Sequence, residues 1–448
     1  MSKKIKNPSI NILYLHAHDA GRWVQPYGVP VETPHLMRFA KQSVLFRKAF
    51  SAAPTCGPSR AALLSGQYPH QVGMFGLPGQ GWIFDDYNKH LVHFLNRLGY
   101  ETVLAGVQHE AHHADMSPLG YQRDLNAGFR EASGQFYPET IDHVERFFAE
   151  KQRGQDRPFF ISVGIDEPHR NNRARPEMNI DDKSALFSKT RYYDPEKLDW
   201  RYTAPPPWLP DLPEVRQDMR SYAEGVNIMD EYMGRVLYAL EQYGLAENTL
   251  VILTTDHGIE FPGSKKTLSD QGTGVMLMLR GPGGLSGGKV IEPLVSQLDI
   301  YPTVCEILDA EKPAWLEGKS LLPLITGDAE KLHDEIFTEQ TYHEPLNPLR
   351  AIRTERYKLV LRHPETGPLL RHDGPLKEIM EEIGWYENRE AAELFDLYLD
   401  PQEACNRIHD PALAEIRRDL EHRLSQWMGK TGDCFPSGKF PEIKECAQ

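Results

Sequence analysis

Residues 249–258 read TLVILTTDHG: seven apolar or β-branched residues in a row, then Asp256, His257 and Gly258. A run that is apolar on both faces, without period-two alternation, fits a strand buried between helix layers in a mostly parallel sheet. NILYL (11–15), TVLAG (102–106) and PFFISVGI (158–165) have the same character, and SVLFRKAF (43–50) and GVMLMLRG (274–281) read as further strands. Helical patterns lie between them. One runs from Thr33 to Gln42, opened by Thr and Pro; a longer one runs from Met219 to Tyr243, with Gly244 as its stop. Alternating strands and helices predict an α/β architecture.

In such a sheet, functional groups gather at the carboxyl ends of the strands. NILYL runs into His16, Ala17, His18 and Asp19; TVLAG runs into Val107, Gln108 and His109. PFFISVGI runs into Asp166, Glu167, Pro168, His169 and Arg170, and TLVILTT into Asp256 and His257. One such set is ordinary loop polarity. Four sets, each directly at a strand end, point to a shared metal and anion site.

The character changes after about residue 330. IFTEQTY, LRAIRTERYKLVLR and AELFDLYLD read as strands with period-two stretches, followed by a helix from about Pro411 to Trp427. The expected division is a catalytic domain over 8–330 and a smaller antiparallel α+β subdomain over 331–448. The stretch 170–215 is rich in Pro, Arg, Asp and Tyr and reads as a substrate-binding loop. Within it, Tyr192, Tyr193 and Trp200 divide between stacking on a sugar ring and core packing. Lys266 reads as a surface residue.

Forty per cent hydrophobic and 25% charged residues over 448 positions describe a globular chain of two or three domains. A net charge of -14 argues against a general electrostatic grip on nucleic acid or on anionic lipid. No stretch approaches the ~20 apolar residues of a membrane-spanning helix. The first residues have a basic start but no signal-peptide core, so the expected location is cytoplasmic unless a leader has been trimmed. Five cysteines cannot make a disulfide framework in this length. Cys305 reads as a buried thiol, while Cys434 and Cys446 are close enough in sequence to pair in an oxidising compartment.

The sharpest local signal is Cys56-Gly57-Pro58-Ser59-Arg60, followed by Ala61 to Gly66 (AALLSG). This stretch resembles the maturation signature of the type I, formylglycine-dependent sulfatases of the alkaline phosphatase superfamily. Thr33-Pro34-His35-Leu36, Met229-Asp230 with Gly234, Asn248-Thr249-Leu250 and Asp256-His257-Gly258 resemble family segments in order. So do Gly318 to Pro323 (GKSLLP), Arg353 to Lys358 (RTERYK), and Leu394 to Leu397 (LFDL) with Asp400-Pro401. The resemblance covers nearly the whole chain. Asp166 to Arg170, Gly258 to Pro262 and the tail with Cys434 and Cys446 look most like the sulfamidase branch.

The resemblance implies an alkaline-phosphatase-like large mixed sheet between helix layers. It implies that Cys56 is oxidised to formylglycine by a separate maturation enzyme, the hydrate of the aldehyde being the nucleophile. One divalent metal would be held by His18, Asp19, Asp256 and His257, and the family's usual ion is Ca2+. Arg60 would steady the hydrate and His109 would take a proton from it. His169 and Lys265 would hold sulfate oxygens and assist the leaving group. The substrate would be a small sulfated molecule, a sugar or glycosaminoglycan fragment bearing a sulfate ester or an N-sulfate. A homo-oligomer is compatible with this reading.

Three departures from the family pattern stand out. His18 replaces one of two adjacent Asp ligands, and His257 stands where Asn is frequent. Imidazole suits Mn2+, Fe2+ or Zn2+ better than Ca2+. The family's G-K-x-H reads Gly106-Val107-Gln108-His109, so a Lys that normally touches sulfate is missing. His112, His113 and Arg170 are the candidates to replace it. The alternatives are a phosphonate monoester or phosphodiester hydrolase of the same superfamily, and a catalytically silent glycan-binding relative.

Overall fold

The structure, a computed structural model, describes residues 10–112, 115–126, 139–154, 157–170, 187, 199–343, 345–364, 374–386 and 390–441. The run at 249 forms the fully buried strand Thr249–Thr255 in the middle of an eight-stranded sheet. Across that sheet lie Lys289–Ile291, Val44–Phe46, Leu277–Arg280, Thr249–Thr255, Asn11–Ala17, Phe159–Gly164, Glu101–Gly106 and Arg123–Asp124. The last five run parallel to one another. Leu277–Arg280 is antiparallel to both of its neighbours, which makes the sheet mixed. The four strands expected to carry functional groups are therefore adjacent and parallel, and their carboxyl ends share one edge.

Two of the expected strands are each broken in two. SVLFRKAF divides into Val44–Phe46 in the large sheet and Ala49–Phe50 in a three-stranded sheet with Gly274–Val275 and Val295–Ser296. Arg47 and Lys48 between them pair with Glu292 and Glu355 at the surface, and a strand carrying two solvated cations cannot continue through a buried sheet. GVMLMLRG divides in the same way at Met276, whose N–H donates to the Gly21 carbonyl instead of to a ladder partner.

Alternation along each central strand feeds two core layers. Leu13, Leu15 and Ala17 face one layer with Val163 and the helices Glu139–Arg153 and Pro213–Gln242. Ile12 and Tyr14 face the other, with Phe160 and the helices Leu91–Arg97 and Ile300–Ile307. The long helix starts at Pro213, ahead of the expected Met219, because proline at its first turn sacrifices no intrahelical bond. Its Asp230 carboxylate accepts the N–H groups of His35 and Leu36 at 3.0 and 2.8 Å, which supplies the N-terminal cap of the helix Pro34–Ala40.

Glu335–Tyr342, Leu346–Thr354, Tyr357–Arg362 and Ala392–Asp396 form the antiparallel four-stranded sheet expected after residue 330. Ile352, Leu359 and Leu394 on one face pack with Leu420, Leu424, Trp427 and Met428 of the helix Ala414–Thr431. Ala62 of the helix Cys56–Ser65 joins the same cluster, so the small sheet supports the helix that begins with Cys56. Cys305 is buried as expected, whereas Cys446, and with it the Cys434–Cys446 pairing, lies outside the described residues. Among the described residues, no helix is long and apolar enough to cross a membrane.

A buried ion network ties these parts together. The His70 ring donates through Nδ1 to Glu339, whose other oxygen accepts the His70 N–H at 2.8 Å. Arg350 grips Asp433 with two nitrogens, Nη2 at 2.7 Å. Burial disfavours the charged imidazole, yet the Glu339 carboxylate prevails and holds the His70 pKa above 6.5. Because the folded pKa is the higher one, this contribution to stability is fully present below pH 6.5 and is lost as pH rises through the folded value. Replacing His70 with Gln is expected to destabilise by about 1.5–3 kcal/mol below pH 6. The deficit should shrink on moving to pH 9, as read by denaturant midpoints at each pH.

Candidate active site

Cys56 is the first residue of the helix Cys56–Ser65, so its side chain stands at a helix N-terminus. That placement suits an anion, since unpaired N–H groups and the helix dipole both favour negative charge. Its Sγ lies 3.3 Å from His257 Nε2, and the whole residue is buried. Burial pushes the thiol well above its usual pKa, against the pull of Lys265, so the unmodified side chain holds no ready thiolate.

Two overlapping groups of potential ligands surround Cys56. Asp19, Cys56, Asp256 and His257 form one, and His18, Asp19, Cys56 and His169 form the other, with ligand atoms within 4.8 Å of each other in each group. The residues expected from sequence lie together here: His18 Nδ1 is 2.8 Å from Asp19 Oδ1 and 3.5 Å from Asp256 Oδ2. His169, assigned to sulfate, also joins the His18 group, and Asp19 is shared by both groups. His257 Nδ1 faces the Gly258 carbonyl at 2.9 Å, and its Nε2 stands 3.2 Å from Asp19 Oδ1 and 3.6 Å from Asp256 Oδ2. An imidazole nitrogen set between two carboxylates is a donor arrangement that a divalent cation can use. Burial also holds His18 neutral, lowering its pKa to about 3 against the pull of Asp256 and Asp19.

The Ser59 and Arg60 side chains explain why the signature follows the cysteine so closely. Ser59 Oγ donates to the Asp256 carbonyl, and Arg60 donates to Asp256 Oδ2 at 3.0 Å and to the Ala17 carbonyl at 3.2 Å. One helical turn therefore joins the nucleophile position to both ligand strands. Burial alone would protonate Asp256, but the imidazoles of His18 and His257, when they carry charge, and the permanently charged Arg60 bonded to it hold its carboxyl well below the usual range. Gly258 is required for packing: a Cβ there would lie 1.8 Å from the Gln271 carbonyl oxygen.

His109 is half-buried, with Nδ1 3.2 Å from His18 Nε2. His169 keeps 26% of its side chain exposed, and its Nε2 stands 3.8 Å from Asp19. Lys265 donates to Asp19 Oδ2 at 2.7 Å and also to Glu260; despite burial, these two carboxylates keep it protonated. All nine residues singled out in the sequence lie at this one edge.

Two expectations fail. Lys266 is 4% exposed, with its ammonium 3.6 Å from Glu260 Oε1, because a turn with φ 67° directs it inward. Arg170 does not replace the missing Lys: its guanidinium clasps Asp218 and bonds the Glu260 carbonyl. Val107, in the place of that Lys, is a core residue. His113, Tyr192 and Tyr193 lie outside the described residues, and Trp200 is half-buried in a single turn, Trp200–Tyr202. Sequence reading gave no role to Glu260, which balances Lys265 and Lys266, or to His16, which seats Arg60 at 2.6 Å. The acidic residue four positions past Asp256 was the available signal for Glu260.

The sulfatase family matches residues 11–310, and the C-terminal part of N-sulphoglucosamine sulphohydrolase matches residues 261–367. The N-sulphoglucosamine sulphohydrolase of Homo sapiens is 29% identical, covering 96% of this chain and 93% of its own length. An ulvan-active sulfatase of Formosa agariphila is 26% identical, covering 94% of this chain and 75% of its own. A protein solved with its substrate D-glucosamine-2-N,6-O-disulfate has the same fold, with a TM-score of 0.70 at 20% identity over 96% of this chain and 100% of that one.

Proposed function

The chain belongs to the sulfatase family, and on that premise we propose that it cleaves a sulfate ester or an N-sulfate from a saccharide at the site built on Cys56. One observation carries the reading: Cys56 Sγ, at a helix N-terminus, sits within 4.8 Å of the ligand atoms of Asp19, Asp256 and His257. Attack on a sulfuryl group needs a nucleophile, a cationic surround for the equatorial oxygens and a proton path. Oxidised to formylglycine by a maturation enzyme, residue 56 supplies a hydrate with one hydroxyl to accept the sulfuryl group and a second to release it. Asp19, Asp256 and His257, with His18 beside them, would hold a divalent metal, which would supply Lewis acidity to the sulfuryl group.

The chain's own residues do the rest. Arg60 fixes Asp256 and, through Ala17, the turn that presents His18 and Asp19. His109, oriented by its contact to His18, is the proposed proton acceptor for residue 56. Lys265 and the partly exposed His169 flank the place where sulfate and leaving group would lie. The relative named for N-sulphoglucosamine supports a glucosamine N-sulfate as the first substrate to try.

Steady-state rates on glucosamine N-sulfate, an aryl sulfate and an aryl phosphonate test the assignment. Either sulfate should exceed the phosphonate; a dominant phosphonate rate would replace the reading with a phosphonate hydrolase. Two imidazoles in the donor set favour Mn2+ or Zn2+ over Ca2+. Chelation is expected to lower activity by about a hundred-fold or more. Mn2+ or Zn2+ should restore more of it than Ca2+, with bound metal counted in the same sample.

A further inference from the structure

Alternation along the strand Asn11–Ala17 puts His16 on the same face as Ile12 and Tyr14, toward the second core layer. The residue is 1% exposed, and its ring stacks on Tyr14 with centroids 4.3 Å apart. The neighbouring strand is shaped to admit it. The residue opposite is Gly164, where a Cβ would lie 2.6 Å from His16 Cε1 and 2.2 Å from the Val107 carbonyl oxygen.

A buried imidazole is costly unless both of its nitrogens are paired. Here Nδ1 lies 2.6 Å from Arg60 Nη1, and Nε2 lies 3.1 Å from Ser162 Oγ. A guanidinium has donors only, so Nδ1 accepts and is unprotonated, and Nε2 carries the hydrogen and donates to Ser162. His16 therefore meets Arg60 as a neutral acceptor in a fixed tautomer.

The other contacts of Arg60 give that neutrality its consequence. Nη2 donates to Asp256 Oδ2 at 3.0 Å and to the Ala17 carbonyl at 3.2 Å, while Nε has no hydrogen-bond partner among the described residues. Without His16 the guanidinium is anchored through Nη2 alone. With a carboxylate in its place the orientation would persist, but a second negative charge would oppose the cation that charge build-up on a sulfuryl group calls for. Cys56 and Arg60 stand four positions apart on one helix and share a face, so the set of the guanidinium bears directly on residue 56. We infer that His16 is a positioning residue of the sulfatase reaction, a neutral acceptor that orients Arg60 beside residue 56 without adding negative charge to it. The inference rests on the sulfatase reading and deepens it, assigning to the reaction a residue that touches neither substrate nor metal.

Three substitutions separate the two bonds and the charge. Asn sets its oxygen near the place of Nδ1 and keeps the acceptor for Arg60. Gln sets its amide nitrogen near the place of Nε2 and keeps only the donor to Ser162, and Asp has the shape of Asn with a negative charge. Rates on glucosamine N-sulfate and an aryl sulfate are counted per metal-loaded molecule with converted residue 56. His16→Asn should keep kcat within about five-fold of wild type, whereas His16→Gln should lower it by about thirty-fold or more with KM within about three-fold. His16→Asp should fall about ten-fold or more below His16→Asn. The Asn and Gln variants each lose one buried bond, so their denaturant midpoints should be alike, and a merely structural histidine would give them equal kcat as well. Equal kcat in these two, or His16→Gln within about five-fold of wild type, would overturn the positioning role. Equal kcat in His16→Asp and His16→Asn would overturn the neutral acceptor. Absence of wild-type turnover on both sulfates would instead refute the sulfatase reading, and the inference with it.

Discussion

Replacing Cys56 with Ala is expected to lower kcat/KM on any sulfated substrate by about four orders of magnitude or more, the scale seen when a covalent nucleophile is removed. A loss of only about 1 kcal/mol in stability should accompany this, because the buried SH group is replaced by hydrogen and a small cavity is left. Ser at the same position is the sharper test. A serine hydroxyl could accept a sulfuryl group but has no second hydroxyl on the same carbon to expel it, so Cys56→Ser should stall after at most one turnover. The raised thiol pKa leads to a related expectation. Protein made without a maturation enzyme should be nearly inactive although folded, since burial keeps the sulfur protonated. Peptide mass spectrometry of residue 56 on active and inactive preparations checks both statements. Full activity with an intact thiol would remove the nucleophile assignment.

Asp256 is the second position where a large effect is expected, because its two oxygens have separate tasks. Oδ1 accepts the N–H groups of Asp19 and His257, each at 2.9 Å, and Oδ2 accepts from Arg60. Truncation to Ala strands the fully buried Arg60 guanidinium without its carboxylate, a loss of about 3–5 kcal/mol. Asn keeps the acceptor for the two amides but turns an N–H group toward Arg60. It should therefore fold better than Ala, while activity falls by about a thousand-fold or more in both through loss of a charged ligand. Denaturant midpoints and kcat/KM, measured on the pair, separate the two effects. Activity within ten-fold of wild type in the Asn variant would show that Asp256 is not a metal ligand.

Much of the site was legible because its information is local. Each ligand set directly follows an apolar run, and an apolar run of five to eight residues both encodes a buried strand and announces where that strand ends. The signature at Cys56 is local as well, since one helical turn carries Cys56, Ser59 and Arg60 onto the ligand loops. Less legible were residues whose roles depend on partners distant in sequence. Arg170 is a strong candidate for sulfate by proximity to His169, yet Asp218, 48 positions away on another element, takes it. Lys266 looks like one of a solvated pair until the Glu260 carboxylate and the Pro54 carbonyl are found against it.

The α/β strands, the four loaded strand ends and the cysteine signature can all be read from residues adjacent in the chain. Long-range packing, by contrast, brings Asp19 into two ligand groups, sets His18 against both Asp256 and His169, and turns Lys266 inward onto Glu260. Those outcomes depend on strand order and on the packing of segments up to 246 positions apart, distances over which hydrophobic pattern and residue spacing carry no geometric information.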